Sequence, residues 1–168
     1  MTIIEDRKHS IPSSPVTTAP EQRLTILLTG TVSDAHTWNL VFLSMLLEEW
    51  GHHVVVLSAC VPEQEVVDAC QRINPDLIVV SSVNGHGYPD GLRLIAAVRE
   101  LRDRSALPVV IGGKLGIAGD CDATRTHALM AAGYDAVFDD IGDGTMLASL
   151  DGFISRLHAR PRPPGLPS

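Results

Sequence analysis

The sequence predicts an α/β fold: one doubly wound, five-stranded parallel sheet with helices on both faces. Short runs rich in Val, Ile and Leu alternate with longer stretches of helical periodicity. The short runs are apolar at successive positions rather than at every second one, as in strands covered on both sides. Turn residues separate the two kinds of segment at close spacing, which gives five βα units with short connections.

The expected strands are Leu24–Thr29, His53–Leu57, Asp76–Ser82, Pro108–Ile111 and Ala136–Asp139. The expected helices are Thr37–Trp50, Pro62–Ile73, Tyr88–Arg104, Asp122–Ala132 and Thr145–Ala159. Pro62 suits a first helical position, where no backbone N–H is needed, with Glu63 and Glu65 following. Gly51 and Gly133 stand where a helix gives way to a strand and a left-handed residue is wanted. The strand order this implies is 2-1-3-4-5, the flavodoxin-like, Rossmann-like arrangement. It places a ligand in the crevice at the carboxyl ends of the strands. Residues 1–21 read as a flexible leader, 22–159 as the folded domain and 160–168 as a Pro-rich tail.

Composition narrows the function classes. The 168 residues are 45% apolar and 20% charged, ordinary for a soluble domain with a real core. The net charge of -7 opposes nucleic-acid binding, which rests on Lys and Arg neutralising phosphates. No apolar run reaches the ~18–20 residues that span a bilayer, and the leader lacks the apolar stretch of a secretory signal. Cys60, Cys70 and Cys121 are odd in number and have no C-x-x-C spacing, so a disulfide framework or structural zinc is not expected. A reducing, cytoplasmic setting is the expectation.

Chemistry-bearing residues collect after strands one, three and four. The first loop reads Ser33-Asp34-Ala35-His36-Thr37-Trp38-Asn39. An aspartate two residues before a histidine can accept the ring's Nδ1–H, which fixes the tautomer and leaves Nε2 for a metal or a proton. Strand three ends in Ser81-Ser82-Val83-Asn84-Gly85-His86-Gly87 and strand four in Gly112-Gly113-Lys114. Singly, each has a bland reading as a strand end or tight turn. Together, at the ends of strands in the right order, they describe one site. His86 and Lys114 lie at the same edge with no role fixed by sequence, His52-His53 reads as a solvent-facing corner, and His127 as a surface helical residue. The first expected helix carries two apolar stripes. Leu43, Leu46, Leu47 and Trp50 form one, and Trp38, Val41, Phe42 and Met45 the other. Either the helix is broadly core-facing or the second stripe meets a partner or a large ligand.

These motifs resemble the cobalamin-binding domain family that holds its cofactor base-off with a protein histidine below the cobalt. The family pattern runs D-x-H-x-x-G, then S-x-L, then G-G. The likeness is strongest to the small-subunit family of glutamate mutase (methylaspartate mutase) and covers about Leu24 to Asp143. It extends to Val-Ser-Ser-x-x-Gly-x-Gly from Val80 and to Gly133-Tyr134-Asp135. The resemblance implies that His36 coordinates cobalt, that Asp34 orients His36, and that Ser81 bonds the displaced base. The nucleotide tail would pass beside Gly112 and Gly113, with Ser33, Ala35, Thr37, Asn39, Val83, Asn84 and Gly85 around it. Four corrin nitrogens already serve the cobalt, so one histidine suffices. Two positions and one stretch depart from the family. Asn39 replaces its glycine, Val83 replaces its leucine, and Asp140–Thr145 lacks the expected proline.

The implied function is the cofactor subunit of an adenosylcobalamin-dependent carbon-skeleton mutase, an isomerase acting on glutamate and 3-methylaspartate. Substrate would be held by a separate large barrel subunit, and the chain would not be active alone. Two other readings stay open. A corrinoid methyl-group carrier would place a helical cap before this fold. A flavodoxin-like electron carrier would use Thr29-Gly30-Thr31-Val32-Ser33 to cradle FMN phosphate. A phosphoacceptor receiver is set aside, because strand three ends in Ser81-Ser82 rather than an aspartate.

Overall fold

The computed structural model describes residues 23–101, 106–116, 123–139 and 145–159. Elements alternate throughout: β1 (Thr25–Gly30), α1 (Thr37–Glu49), β2 (His53–Val56), α2 (Glu63–Ile73), β3 (Leu77–Ser82), α3 (Gly87–Arg99), β4 (Val109–Gly113), α4 (Ala123–Ala132), β5 (Ala136–Asp139) and α5 (Thr145–His158). All pairings are parallel, and the strand order is β2-β1-β3-β4-β5, as the sequence predicts.

Successive strand residues point to opposite faces, and the core divides accordingly. Ile26, Leu28, Leu77, Val79 and Val110 pack with Leu43 and Leu47 of α1 and with Leu150 and Ile154 of α5. Leu27, Ile78, Val80, Val109 and Ile111 face Val66 of α2, Ile95 of α3 and Leu129 of α4. β3 is buried at every residue, whereas edge strand β2 is not. This agrees with continuous apolar runs at the centre of a doubly covered sheet.

Several boundaries move. β4 runs on to Gly113, so the two glycines are the last residues of the strand rather than a turn beyond it. Pro62 is the N-cap of α2, not its first helical residue. α3 begins at Gly87 and ends at Arg99, short of the expected Arg104; residues 102–105 lie outside the described set. Gly51 and Gly133 do adopt positive φ, at 91° and 123°. The leader, the tail, Cys121 and most of Asp140–Thr145 also fall outside the described residues.

His52 corrects the sequence reading. His53 is exposed, but His52 is buried, with its ring centroid 5.3 Å from that of His158 in α5. The return of the chain from α1 is covered by α5, which hydropathy at the corner cannot reveal. The broadly core-facing reading of α1 does not hold. Leu40, Leu43 and Leu47 are buried, while Trp38, Val41, Phe42 and Met45 stand exposed, Trp38 at 85%. The helix faces the core on one side only.

Candidate functional site

The sheet register assembles the site. Gly30 of β1, Ser81 of β3 and Gly112 of β4 lie in one row across the sheet, and Ser82 pairs with Gly113 in the next. The loop residues 31–36, Val83–His86 and Lys114 therefore all leave the sheet at its carboxyl edge. That edge, where β1 and β3 send their helices to opposite faces, is the switch point of the fold.

His36 stands at the N-cap of α1 (φ -80, ψ 86) and makes no side-chain capping bond. Capping residues such as Ser or Asp contribute about 1 kcal/mol at this position. Here the ring turns back to Asp34 instead, with Nδ1 2.7 Å from Asp34 Oδ1. The His36 backbone N–H donates to the same oxygen at 2.9 Å. Asp34 Oδ2 accepts the Val83 backbone N–H at 2.6 Å. The carboxylate is 4% exposed and the imidazole 61%. With Nδ1 engaged, Nε2 is the nitrogen left for a ligand. Burial alone would raise the Asp34 pKa, but the N–H groups of Val83 and His36, with the His36 ring, hold it below its ordinary 3.8.

A second carboxylate steadies the same loop. Asp90, in the first turn of α3, accepts the Ser33 N–H at 3.2 Å and the Ser33 hydroxyl. Arg93 Nη2 donates to Asp90 at 2.5 Å and Arg93 Nε to Glu63 of α2 at 3.2 Å. Burial pushes Asp90 up, but Ser33 and Arg93 bring it below its ordinary value. Asn84 joins the loops from the other side. Its amide donates to the Ser33 carbonyl at 2.8 Å, while its Oδ1 accepts the His86 N–H at 2.9 Å. The sequence singled out Asn84 but not Asp90, since one acidic residue in a first turn looks like ordinary dipole pairing.

Behind the row lies a narrow apolar cleft between the sheet and the α1/α5 layer. Leu43, Val79, Ser81, Gly112, Phe138 and Leu150 are among its walls. A Cβ on Gly112 would stand 3.1 Å from the Phe138 carbonyl oxygen and 3.6 Å from Met146 Sδ, on the cleft wall. Gly113 has φ of 102° and passes so close to Ser82 that a Cβ would collide with the Ser82 carbonyl oxygen. The two glycines thus have different reasons: one leaves space, the other permits the backbone path. Asn39, in the first turn of α1, donates its amide to the Ser81 hydroxyl.

The remaining expected residues divide clearly. Ala35 and Thr37 are exposed beside His36, and Gly85 is buried in the β3–α3 turn with φ of 83°. Val83 contributes through its backbone N–H, so the exchange of leucine for valine leaves that bond untouched. His86 caps α3 and is exposed, as are Lys114 and His127. Thr29 and Thr31 are buried, bonding the Gly30 carbonyl at 3.0 Å and Ser82 Oγ at 3.5 Å. Neither of these two hydroxyls is presented to a phosphate, which weakens the FMN reading of the loop.

An oriented imidazole, an apolar cleft with one hydroxyl in its wall, and glycine-lined backbone fit a corrinoid held from below. Comparison with known proteins agrees. The family model described as the B12 binding domain matches residues 24–140. The glutamate mutase sigma subunit 2 of Haloarcula marismortui is 30% identical over 121 residues, covering 71% of this chain and 79% of its own. The glutamate mutase sigma subunit of Fusobacterium nucleatum is 30% identical over 108 residues, 63% of this chain and 77% of its own. In fold, the chain is similar to the crystal structure of a cobalamin-binding protein from Desulfitobacterium hafniense, with TM-score 0.58 and 22% identity. That likeness covers 77% of this chain and 59% of that one. The chain thus belongs to the B12 binding domain family, and the glutamate mutase sigma subunits are among its relatives.

Proposed function

We propose that this chain is the cobalamin-carrying subunit of an adenosylcobalamin-dependent carbon-skeleton mutase that interconverts glutamate and 3-methylaspartate. The observation that carries the reading is His36: exposed, at the sheet's carboxyl edge, and held through Nδ1 by a buried carboxylate. The names of the relatives support the mutase assignment.

In this reading His36, whose Nε2 is left open by the Asp34 bond to Nδ1, would hold the cobalt. Asp34 sets the tautomer and direction of the ring, and Asp90, through Ser33, fixes the loop on which both stand. Ser81 and the cleft beside Gly112 take the displaced base and its nucleotide tail. When bound, adenosylcobalamin supplies a cobalt–carbon bond that breaks homolytically. The residues of this chain bind and orient; none of those named here is assigned to substrate. That role falls to a large barrel subunit in the cytoplasm. The exposed stripe Trp38, Val41, Phe42 and Met45 begins two residues beyond His36 and supports a partner over this face.

The test is absorbance after incubating the full chain, alone and with a large mutase subunit, with hydroxocobalamin and adenosylcobalamin. A base-off, histidine-on spectrum that disappears in His36→Ala is expected. An unchanged spectrum in that variant would overturn the assignment. A methyl-transfer activity to a thiol without a mutase partner would favour the carrier reading.

A further inference from the structure

We propose that Asn39 and Ser81 form a latch across the mouth of the apolar cleft, so that parting them limits the uptake of any corrinoid carrying a nucleotide tail. The inference rests on the cobalamin reading above and concerns a residue at which this chain departs from the family glycine.

The two residues are 42 positions apart and belong to different walls. Asn39 is on the first turn of α1, and Ser81 ends β3. Leu43, one helical turn beyond Asn39, lines the cleft opposite Ser81 and Val79. The amide-to-hydroxyl bond therefore ties helix to sheet at the carboxyl edge, the side from which a tail beneath His36 would come. Ser81 is buried, and the walls around it are largely apolar. Pulling Asn39 away takes from the buried Ser81 oxygen the side-chain donor it has among the described residues, and an unmet buried acceptor is costly.

Chemistry makes the latch reversible. A hydroxyl has one donor and two acceptor sites, so Ser81, which accepts from the Asn39 amide, keeps its own O–H to donate to a ring nitrogen of an incoming base once the latch has parted. Asn39 is only half-buried and can turn its amide into water when displaced. Glycine at this position would offer no such bond and an open mouth. The bond also pins the first turn of α1, which has no side-chain cap of its own at His36. Tail entry is thereby coupled to the helix that carries the axial ligand.

The test follows uptake by stopped-flow absorbance in the full chain, with hydroxocobalamin and with aquocobinamide, the corrinoid that lacks the nucleotide. Losing one hydrogen bond at the barrier should make Asn39→Ala take up cobalamin about tenfold faster. Cobinamide uptake should not change. Asn39→Gly should behave like Asn39→Ala, and the acceleration should vanish when both are compared on a Ser81→Ala background. Thermal melts of the variants show that each is folded.

Equal cobalamin rates in the wild type and Asn39→Ala would overturn the latch. So would an equal acceleration with both corrinoids, which signals general loosening, or an acceleration that persists without the Ser81 hydroxyl. In all of these the His36-dependent spectrum survives and the cobalamin reading stands. If neither corrinoid gives that spectrum, both the reading and the latch fail together.

Discussion

Asp34 and Val83 are tied across the carboxyl edge of the sheet, the Val83 backbone N–H meeting Asp34 Oδ2 at 2.6 Å. The other carboxylate oxygen holds the ring of His36 at 2.7 Å. One buried aspartate thus registers the loop after β1 against the loop after β3 while it aims the imidazole. Replacing Asp34 with Asn keeps the shape but removes the charge and one full acceptor. Roughly 10–100-fold weaker corrinoid binding is expected, in line with losses of partners behind metal-bound histidines. Spectrophotometric titration of D34N checks this, and an unchanged dissociation constant would count against the orienting role.

Acid should act on the same two loops. Asp34 and Asp90 both lie below their ordinary value of 3.8, because hydrogen bonds and nearby cations outweigh burial. The unfolded chain therefore binds more protons than the folded one as the pH drops. Their contribution to stability is complete above about pH 4 and is lost as the pH falls through the folded values. Melting temperature measured against pH should turn downward below about pH 4, and less steeply in D34N and Asp90→Asn than in the wild type.

Asp90 touches neither the ring nor the cleft, yet it holds Ser33 by two bonds. Asp90→Ala removes both bonds to the exposed Ser33 and should cost about 0.5–1.5 kcal/mol by urea unfolding. It should also weaken corrinoid binding, since the Asp34–His36 loop loses its anchor on α3. Normal stability with normal binding in D90A would mean that Asn84 alone holds the loop.

The paired glycines should separate on substitution. Gly113→Ala forces a side chain into the Ser82 backbone at a positive φ, and a loss of the order of 3 kcal/mol or more is expected. Gly112→Ala meets Phe138 at 3.1 Å, a contact that small shifts can relieve at about 1–3 kcal/mol. G112A should fold and still bind cobinamide while binding cobalamin poorly, because its methyl narrows the cleft. Equal losses for both ligands would place the tail elsewhere.

The exposed face of α1 should matter only to assembly. Phe42→Ser and Met45→Ser alter side chains that are 53% and 65% exposed, so stability should stay within about 0.5 kcal/mol. Association with a large mutase subunit, followed by co-elution or calorimetry, should weaken markedly. Unchanged association would show that the stripe faces something other than that partner.

Much of this was legible in the residues themselves. Runs such as Leu77–Val80 are apolar at every position, and so short a run between turn residues suits a strand buried on both faces. Their alternation with helical stretches then leaves few topologies, and the strand order followed. Asp34, His36, Ser81, Gly112 and Gly113 could be named together because they fall at successive strand ends in a pattern that resembles one family, and the register brings those ends to one edge of the sheet. The partner of Asp34 was not legible, because Val83 acts through an N–H that every residue but proline carries. Asp90 was hidden for a related reason: its acceptors meet Ser33 across 57 positions of chain. His52 looked exposed until α5 closed over it. The Asn39–Ser81 bond exists only once α1 is laid against β3. Sequence determined the elements, their order and the chemistry at the strand ends, since local pattern and residue type suffice for those. Tertiary structure decided which of these groups satisfy one another, since hydrogen bonding depends on angstrom distances between segments that no local pattern encodes.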